Sequence, residues 1–434
     1  MRSLIPGWRP SSWLPPGWRP PNWRLPRWRL PRWRRRQPAP QSHFFWRLVF
    51  PVVVVAAGIA VLLLALTGGR DVLRITVAPV EEQIVPEPDE PGYLELVEAT
   101  PTLLALHTHN GGLTGVAFIA LTGIDAGGGV VLLPADLVVV PPGGSAEQGE
   151  LLSDTFARGG VEAVRQVAED MFGLGFGQVV EVPTEWLAYS IGPAEPLPYL
   201  FVDDLIEMGA DGAKRAVYQA GRYELSAADA AAVYAHRNPD EADGNRAQRQ
   251  RAMWESWLGV IGRAPDPEAA VPPADSALAP FLRALGAGTT VVEVVPFESI
   301  ASDPGAAPVQ LLGAESRAWL RAEALELAPW PQQPESFLRP RVQLLDGTGN
   351  PAIRDGLADD VIAAGGVITV IGNADAFGVE ATQFAYHREE LVNDPITNSI
   401  AIELGVDMAL IELGESGADV VDITVTVGLD QAAR

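Results

Sequence analysis

GGVVLLPADLVVV (residues 128–140), followed by SDTFARGGVEAVRQVAEDMFG (153–173), is the stretch that decides the fold. The first run is almost wholly apolar and dense in β-branched valine, which predicts a buried strand. In the second, Val161, Val164, Val167 and Met171 fall on one helical face with charges opposite, which predicts an amphipathic helix. Working outward, LELVEATPTLLALHT (94–108) and GVAFIAL (115–121) read as earlier strands, and QVVEVPTEWLAYSIG (178–192) as a second strand and helix group. Further helices are expected at SAADAAAVYAHR (226–237) and DGNRAQRQRAMWESWLGVI (243–261). This alternation places residues 93–300 in the α/β class.

A Pro/Ala-rich boundary over 301–340, containing APWPQQPESFLRP, reads as a linker. Beyond it, over 341–432, lies a second and smaller α/β sheet domain. RVQLLDGTG is a strand and tight turn, NPAIRDGLADDVIAAGG a helix ending in glycines, and VITVIGNAD a strand. TQFAYH is another strand, a helix runs from about Arg388 to Leu404, and DVVDITVTVGLD closes as a strand.

Toward the other end, residues 70–92 include VEEQIVPEPDEPG and read as an acidic, Pro-rich tether. Residues 48–69, LVFPVVVVAAGIAVLLLALTGG, carry no charge over 22 positions. At about 1.5 Å per residue they are long enough for a transmembrane helix across a hydrocarbon core of about 30 Å. Residues 1–47 hold eleven arginines and no acid, with Trp8, Trp13, Trp18, Trp23, Trp28 and Trp33 recurring every five residues between prolines. That spacing suits neither helix nor strand. The arginines orient this tail to the cytoplasm, so the expectation is a single-pass protein of the cell membrane with its bulk extracellular. Trp with Arg also suits the headgroup layer; a disordered tail that only sets topology is the other reading.

Charge excludes one class of partner. The formal net charge is -24, and removing the eleven tail arginines leaves 20 Lys and Arg against all 55 Asp and Glu. Such a domain repels nucleic acid. With no cysteine, disulfides and thiolate metal sites are excluded.

Several motifs look chemical. GLGFG (173–177) follows a helix rather than a strand, so it reads as a helix C-cap and not a phosphate loop. DGTGNPAIRDGLADD (346–360) follows a strand but lacks the P-loop lysine and reads as a structural turn. His107 and His109 alternate on a strand end without further metal ligands in view. Denser is YAHRNPDEADGNRAQRQR (234–251), with His236, Arg237, Asp240, Asp243, Arg246, Arg249 and Gln250. Arg246, Arg249 and Gln250 stand at i, i+3 and i+4, one helix face. Two guanidiniums and an amide there suit an oxyanion or phosphate, and equally an exposed, salt-bridged face.

YQAGRYELSAADAAAVYAHR followed by DGNRAQRQRAMWESWL resembles the LytR-CpsA-Psr family, whose members carry an Arg-x-Arg pair, then an Asp, an Arg and an Arg-Gln in this order. VVLLPADLVVV resembles the family's strand ending in Pro-Arg-Asp, and 151–192 its following helix, strand and helix. The unit from Arg341 is similar to the LytR C-terminal domain. The resemblance covers 93 to about 300 and 340 to 432.

It implies an α/β/α core with a mixed sheet. The implied activity is transfer of a glycopolymer from a polyprenyl-pyrophosphate carrier to peptidoglycan, with Mg2+ as cofactor. By the same resemblance Arg246, Arg249 and Asp243 would be catalytic, Arg237 and Gln250 would bind substrate, and Asp136 would take part in holding the metal. The family's Arg before that Asp is Ala135 here, its earlier Asp falls near Thr114 and Gly115, and its Arg-x-Arg pair falls on His236 and Asn238. Each lost charge opposite a pyrophosphate removes about 3–4 kcal/mol of transition-state stabilisation. The expected function is therefore a cell-envelope protein of this type with reduced or no transferase activity. The alternative is an inactive binding or scaffold protein for polyprenyl lipid, wall polymer or a partner enzyme.

Overall fold

Every residue of the strand Gly127–Pro134 is buried, a condition that requires cover on both faces of its sheet. The computed structural model describes residues 86–123, 127–140, 149–239, 241–300, 309–406, 411–414 and 420–433. The expected tail 1–47, membrane span 48–69 and most of the tether 70–92 lie outside the described residues. No described helix is long and apolar enough to cross a membrane.

In chain order the first elements are β1 (Leu94–Leu96), β2 (Thr102–His109), β3 (Gly112–Gly123), β4 (Gly127–Pro134), β5 (Leu137–Val139), β6 (Glu150–Leu151) and α1 (Leu152–Phe172). Then come β7 (Gln178–Pro183), α2 (Thr184–Ile191), β8 (Leu197–Phe201), β9 (Leu205–Met208), β10 (Lys214–Tyr218), β11 (Gly221–Leu225), α3 (Ala227–Ala235) and α4 (Asp243–Arg263). The middle closes with α5 (Ala279–Ala287), β12 (Thr289–Val294), β13 (Glu298–Ile300), β14 (Val309–Leu311) and α6 (Ala314–Leu327). The last third holds β15 (Arg341–Asp346), α7 (Pro351–Ala363), β16 (Val367–Asn373), β17 (Gln383–Tyr386), α8 (Pro395–Glu403), β18 (Ile411–Leu413) and β19 (Ile423–Val427).

The central sheet runs β12-β4-β3-β2-β7. Its outer pairs, β12 with β4 and β2 with β7, are parallel, and its inner pairs antiparallel, so the sheet is mixed. Period-two alternation sends Leu103, Ala105, Ala117, Ile119, Val130 and Leu132 into one core, which α3, α4 and α5 cover. Leu104, Leu106, Val116, Phe118, Val131 and Leu133 enter the other, beneath α1 and α6. The result is the expected α/β/α sandwich. Gly173 ends α1 in the left-handed region, its N–H donating to Glu169 O at 2.8 Å, as a helix C-cap requires.

Two segments differ from their sequence reading. Residues 314–327, inside the stretch expected as linker, form α6. Leu320, Ala324 and Leu327 recur at helical spacing and are buried in the second core. The stretch expected as one helix from Arg388 to Leu404 is a 3-10 turn, Glu389–Asn393, followed by α8. Pro395 has no N–H to continue a helix through and serves instead as the first residue of a new one, capped by the Asp394 carboxylate accepting from Thr397 N.

The C-terminal sheet runs β1-β16-β15-β19-β17-β18, with Val342, Leu344, Ile423 and Val425 packed beneath α7 and α8. Its edge strand β1 comes from the stretch assigned by sequence to the preceding domain: Leu94–Leu96 pair antiparallel with Val370–Gly372. The tight turn after β15 is held by Asp346, whose Oδ1 accepts from the N–H and hydroxyl of Thr348.

Candidate functional site

Helix α4 is amphipathic, but its buried stripe is not apolar throughout. Met253, Trp254, Trp257 and Ile261 fill it toward the C-terminal end; at the N-terminal end the same stripe carries Asp243, Arg246 and Gln250. Charged groups in core positions need partners, and each has one. Asp243, 1 % exposed, accepts the backbone N–H of Asp136 on Oδ2 at 2.9 Å and pairs through Oδ1 with the Arg246 guanidinium. Burial pushes the Asp243 carboxyl up and the Arg246 guanidinium down, each offset by the other's charge. Asp136 itself stands in the turn after β4. Its Oδ2 accepts from Arg237 Nη1 at 2.6 Å.

Gln250 binds neither ion. Its Nε2 donates to Thr114 O at 3.0 Å and to Tyr234 O at 3.1 Å, so the amide staples α4 to the start of β3 and the end of α3. Gly115 leaves room for it, since a Cβ there would stand 2.7 Å from Gln250 Oε1. This is the place where the family pattern would put an aspartate. Here it is occupied by a buried amide clamp.

Arg249 is turned away from Arg246 and Gln250. Its Nη1 and Nη2 grip the two carboxylate oxygens of Glu241, the Nη2 contact at 2.8 Å, and Nη2 also donates to His236 O at 2.9 Å. The one face expected for Arg246, Arg249 and Gln250 is thus two: Arg246 and Gln250 look toward the sheet, Arg249 toward a neighbouring cleft of about 800 Å3. Leu200, Val202, Leu205, Ile206, Ala220 and Ala252 supply apolar lining there, with Glu241, Asn245, Gln248 and Arg249 beside them. Tyr199 donates its hydroxyl to Arg249 O at 3.1 Å, and burial pushes that phenol up to about 12.

His236 and Asn238, where the family pattern has its Arg-x-Arg pair, do mechanical work. A His236 Nε2 hydrogen bond to Ile206 O (2.8 Å) and acceptance of Ile206 N by Asn238 Oδ1 (2.7 Å) fasten β9 to the loop before α4. Arg237 bridges the two halves of the cluster: Nη1 goes to Asp136, and Nε donates to Glu241 O at 2.9 Å. Asp136, Arg237, Glu241, Asp243, Arg246 and Arg249 therefore form one connected set of three carboxylates and three guanidiniums. Asp240 lies outside the described residues.

The donor set does not suit Mg2+, which takes one or two carboxylates with water and substrate phosphate in near-octahedral order. Both Asp243 oxygens and one of Asp136 are already engaged by guanidinium or N–H groups. His107 and His109 likewise form no pair. His107 is buried between Tyr234 and Trp254 with neither ring nitrogen bonded, and burial lowers it to about 3. His109 is exposed and shares a hydrogen bond with Thr184.

Two residues of this site escaped the sequence reading. Glu241 lies in the loop ahead of α4, and only its proximity to Arg249 in sequence hinted at a pair. Gln310, fully buried on β14, caps the first turn of α4: with its amide oxygen toward the helix it accepts Gly244 N at 3.0 Å and Asp243 N at 3.3 Å. Nothing local in a Pro/Ala-rich stretch signals that contact.

No protein-family model and no curated protein matches the chain. Solved structures do resemble it. TagV of B. subtilis is 13% identical with a TM-score of 0.43, covering 53% of this chain and 98% of that one. A LytR-Csp2A-Psr enzyme from Actinomyces oris is 17% identical with a TM-score of 0.40, covering 54% and 96%. The LytR-CPS2A-psr family protein YwtF (TagT), solved with bound octaprenyl pyrophosphate lipid, is 17% identical with a TM-score of 0.39, covering 57% and 94%.

Proposed function

We propose that this chain is a membrane-anchored cell-envelope protein of the LytR-CpsA-Psr kind that binds a polyprenyl-linked wall glycopolymer without working as a fast transferase. Anchoring through residues 48–69, with the described domains outside the cell, is part of the proposal and rests on the sequence. One observation carries the functional reading: the guanidiniums of Arg237, Arg246 and Arg249 are each matched by a carboxylate of the chain itself, Asp136, Asp243 and Glu241. A phosphoryl-transfer site must offer uncompensated positive charge to the leaving group. This cluster offers none, and its carboxylates are a poor match for the metal that would supply some. What remains is a cleft in which apolar side chains stand beside amides and the carboxylates of Asp203, Asp204 and Glu241, suited to the lipid or sugar portion of such a molecule rather than to its phosphates.

The test uses the full chain in detergent with polyprenyl pyrophosphate and polyprenyl alcohol, each with and without Mg2+. Binding of both within about threefold of one another, independent of Mg2+ and of Arg249→Ala, is expected (a difference under about 0.7 kcal/mol). No glycopolymer should reach peptidoglycan in a transfer assay. Mg2+-dependent binding lost in Arg249→Ala, or multiple-turnover transfer, would establish a working transferase and overturn this reading. No binding of either lipid would remove the carrier from the account.

A further inference from the structure

Glu241 is held from several directions, which is unusual for an acid in a connecting loop. Its carboxylate takes both terminal nitrogens of Arg249, its Oε2 also accepts Asn238 N at 2.9 Å, and its backbone oxygen accepts Arg237 Nε at 2.9 Å. The side chain is 7% exposed, that of Arg249 17%. A two-point grip between guanidinium and carboxylate uses the geometry that would otherwise receive two phosphate oxygens. Asp203 and Asp204 line the same cleft, so its charged lining counts Asp203, Asp204 and Glu241 against Arg249 alone.

We propose that Glu241 is a specificity-determining residue: it withholds Arg249 from phosphate, so that the pyrophosphate group of a ligand adds no affinity at the cleft. The inference deepens the binding function proposed above and rests on the cleft being its ligand site. Removing a single charge should convert the selectivity, because Arg249 is already seated and oriented by His236 O. Glu241→Gln is the suitable change. It is nearly isosteric, keeps an acceptor for Asn238 N, and leaves the Arg249 guanidinium without its carboxylate partner.

The experiment is calorimetric titration of inorganic pyrophosphate into the full chain in detergent. Wild type should show no saturable binding below about 1 mM, and Glu241→Gln should bind at least about tenfold more tightly. The gain should vanish in Glu241→Gln/Arg249→Gln. Equal binding by wild type and Glu241→Gln, or a folded Glu241→Gln without any gain, overturns the proposal. Thermal melting reports whether each variant is folded. If Glu241→Gln is not, Glu241→Asp replaces it: one methylene shorter, it cannot reach both nitrogens, so an intermediate gain is expected and its absence is equally damaging. Inorganic pyrophosphate has no lipid tail, so this outcome is independent of whether the chain binds a polyprenyl carrier.

Discussion

The backbone N–H of Asp136 donates to Asp243 Oδ2 at 2.9 Å across 107 residues of sequence, tying the turn at the carboxyl end of β4 to the first turn of α4. The same Asp243 neutralises Arg246, so a single carboxylate holds a backbone junction and a buried cation together.

Removing that charge should be costly. Asp243→Asn keeps an acceptor oxygen for Asp136 but leaves Arg246 buried, its side chain 8% exposed, without a counter-ion. Losing one partner of a buried pair costs about 3–5 kcal/mol. Urea denaturation should show that loss, and Asp243→Asn/Arg246→Met should regain about half or more, because neither charge then remains. Equal losses in the single and double variants would mean that the pair is not what stabilises this junction.

How much of this was legible beforehand depended on the range of the cause. The strands of the central sheet and α1, α3, α4 and α7 follow from apolar runs and helical spacing, which are local. α6 was hidden by composition: Pro and Ala dominate 301–340, and the stripe Leu320, Ala324, Leu327 is short. In the site, residue types at the right spacing singled out Asp243, Arg246, Arg249 and Gln250, yet spacing does not say which neighbour each one meets. Arg246 and Gln250 face the sheet and Arg249 the cleft because α4 is buried along one side. Partners such as Asp136, in the turn after β4, and Gln310, on β14, arrive from distant parts of the chain.

The burial of α6 makes a direct test of its place in the core. Leu320 is fully buried among the side chains under the central sheet. Leu320→Ala should destabilise the chain by about 2–5 kcal/mol, the range for a buried leucine whose surroundings collapse only in part. A loss below about 0.5 kcal/mol in chemical denaturation would mean that the segment is a loose connector.

His107 makes stability depend on pH in a definite direction. Its imidazole titrates near 6.5 when exposed and is lowered by burial to about 3 in the fold. Between these values the unfolded chain binds a proton that the folded chain refuses, so stability is fully present above about 6.5 and falls as pH drops toward 3. The slope reaches at most about 1.4 kcal/mol per pH unit. His107→Leu leaves an apolar group against Tyr234 and Trp254 and removes two unbonded buried nitrogens. Its unfolding free energy should match or exceed wild type at pH 7 and fall less steeply between pH 6 and 4. Parallel pH profiles for the two proteins would rule out this assignment.

Glu169 ties an irregular segment to the end of α1. It is 1% exposed at the end of α1, paired with Arg165, and accepts the backbone N–H groups of Glu335 at 3.2 Å and Ser336 at 2.8 Å. The chain leading into β15 is therefore fastened to the α/β/α sandwich by a carboxylate 166 and 167 residues away in sequence. Hydrogen bonds to a charged acceptor contribute about 1.5–3 kcal/mol each at most, enough to govern local opening of an irregular segment. Glu169→Ala should leave Arg165 and both N–H groups without this partner and loosen the segment before it unfolds the domain. Leu338 is exposed on that segment, and chymotrypsin should cut there several times faster in the variant than in wild type under native conditions. Cleavage at the same rate, with the variant's melting temperature unchanged, would show that the clasp is held by other contacts, such as the Gly175 N–H bonded to Gln332 O at 2.9 Å.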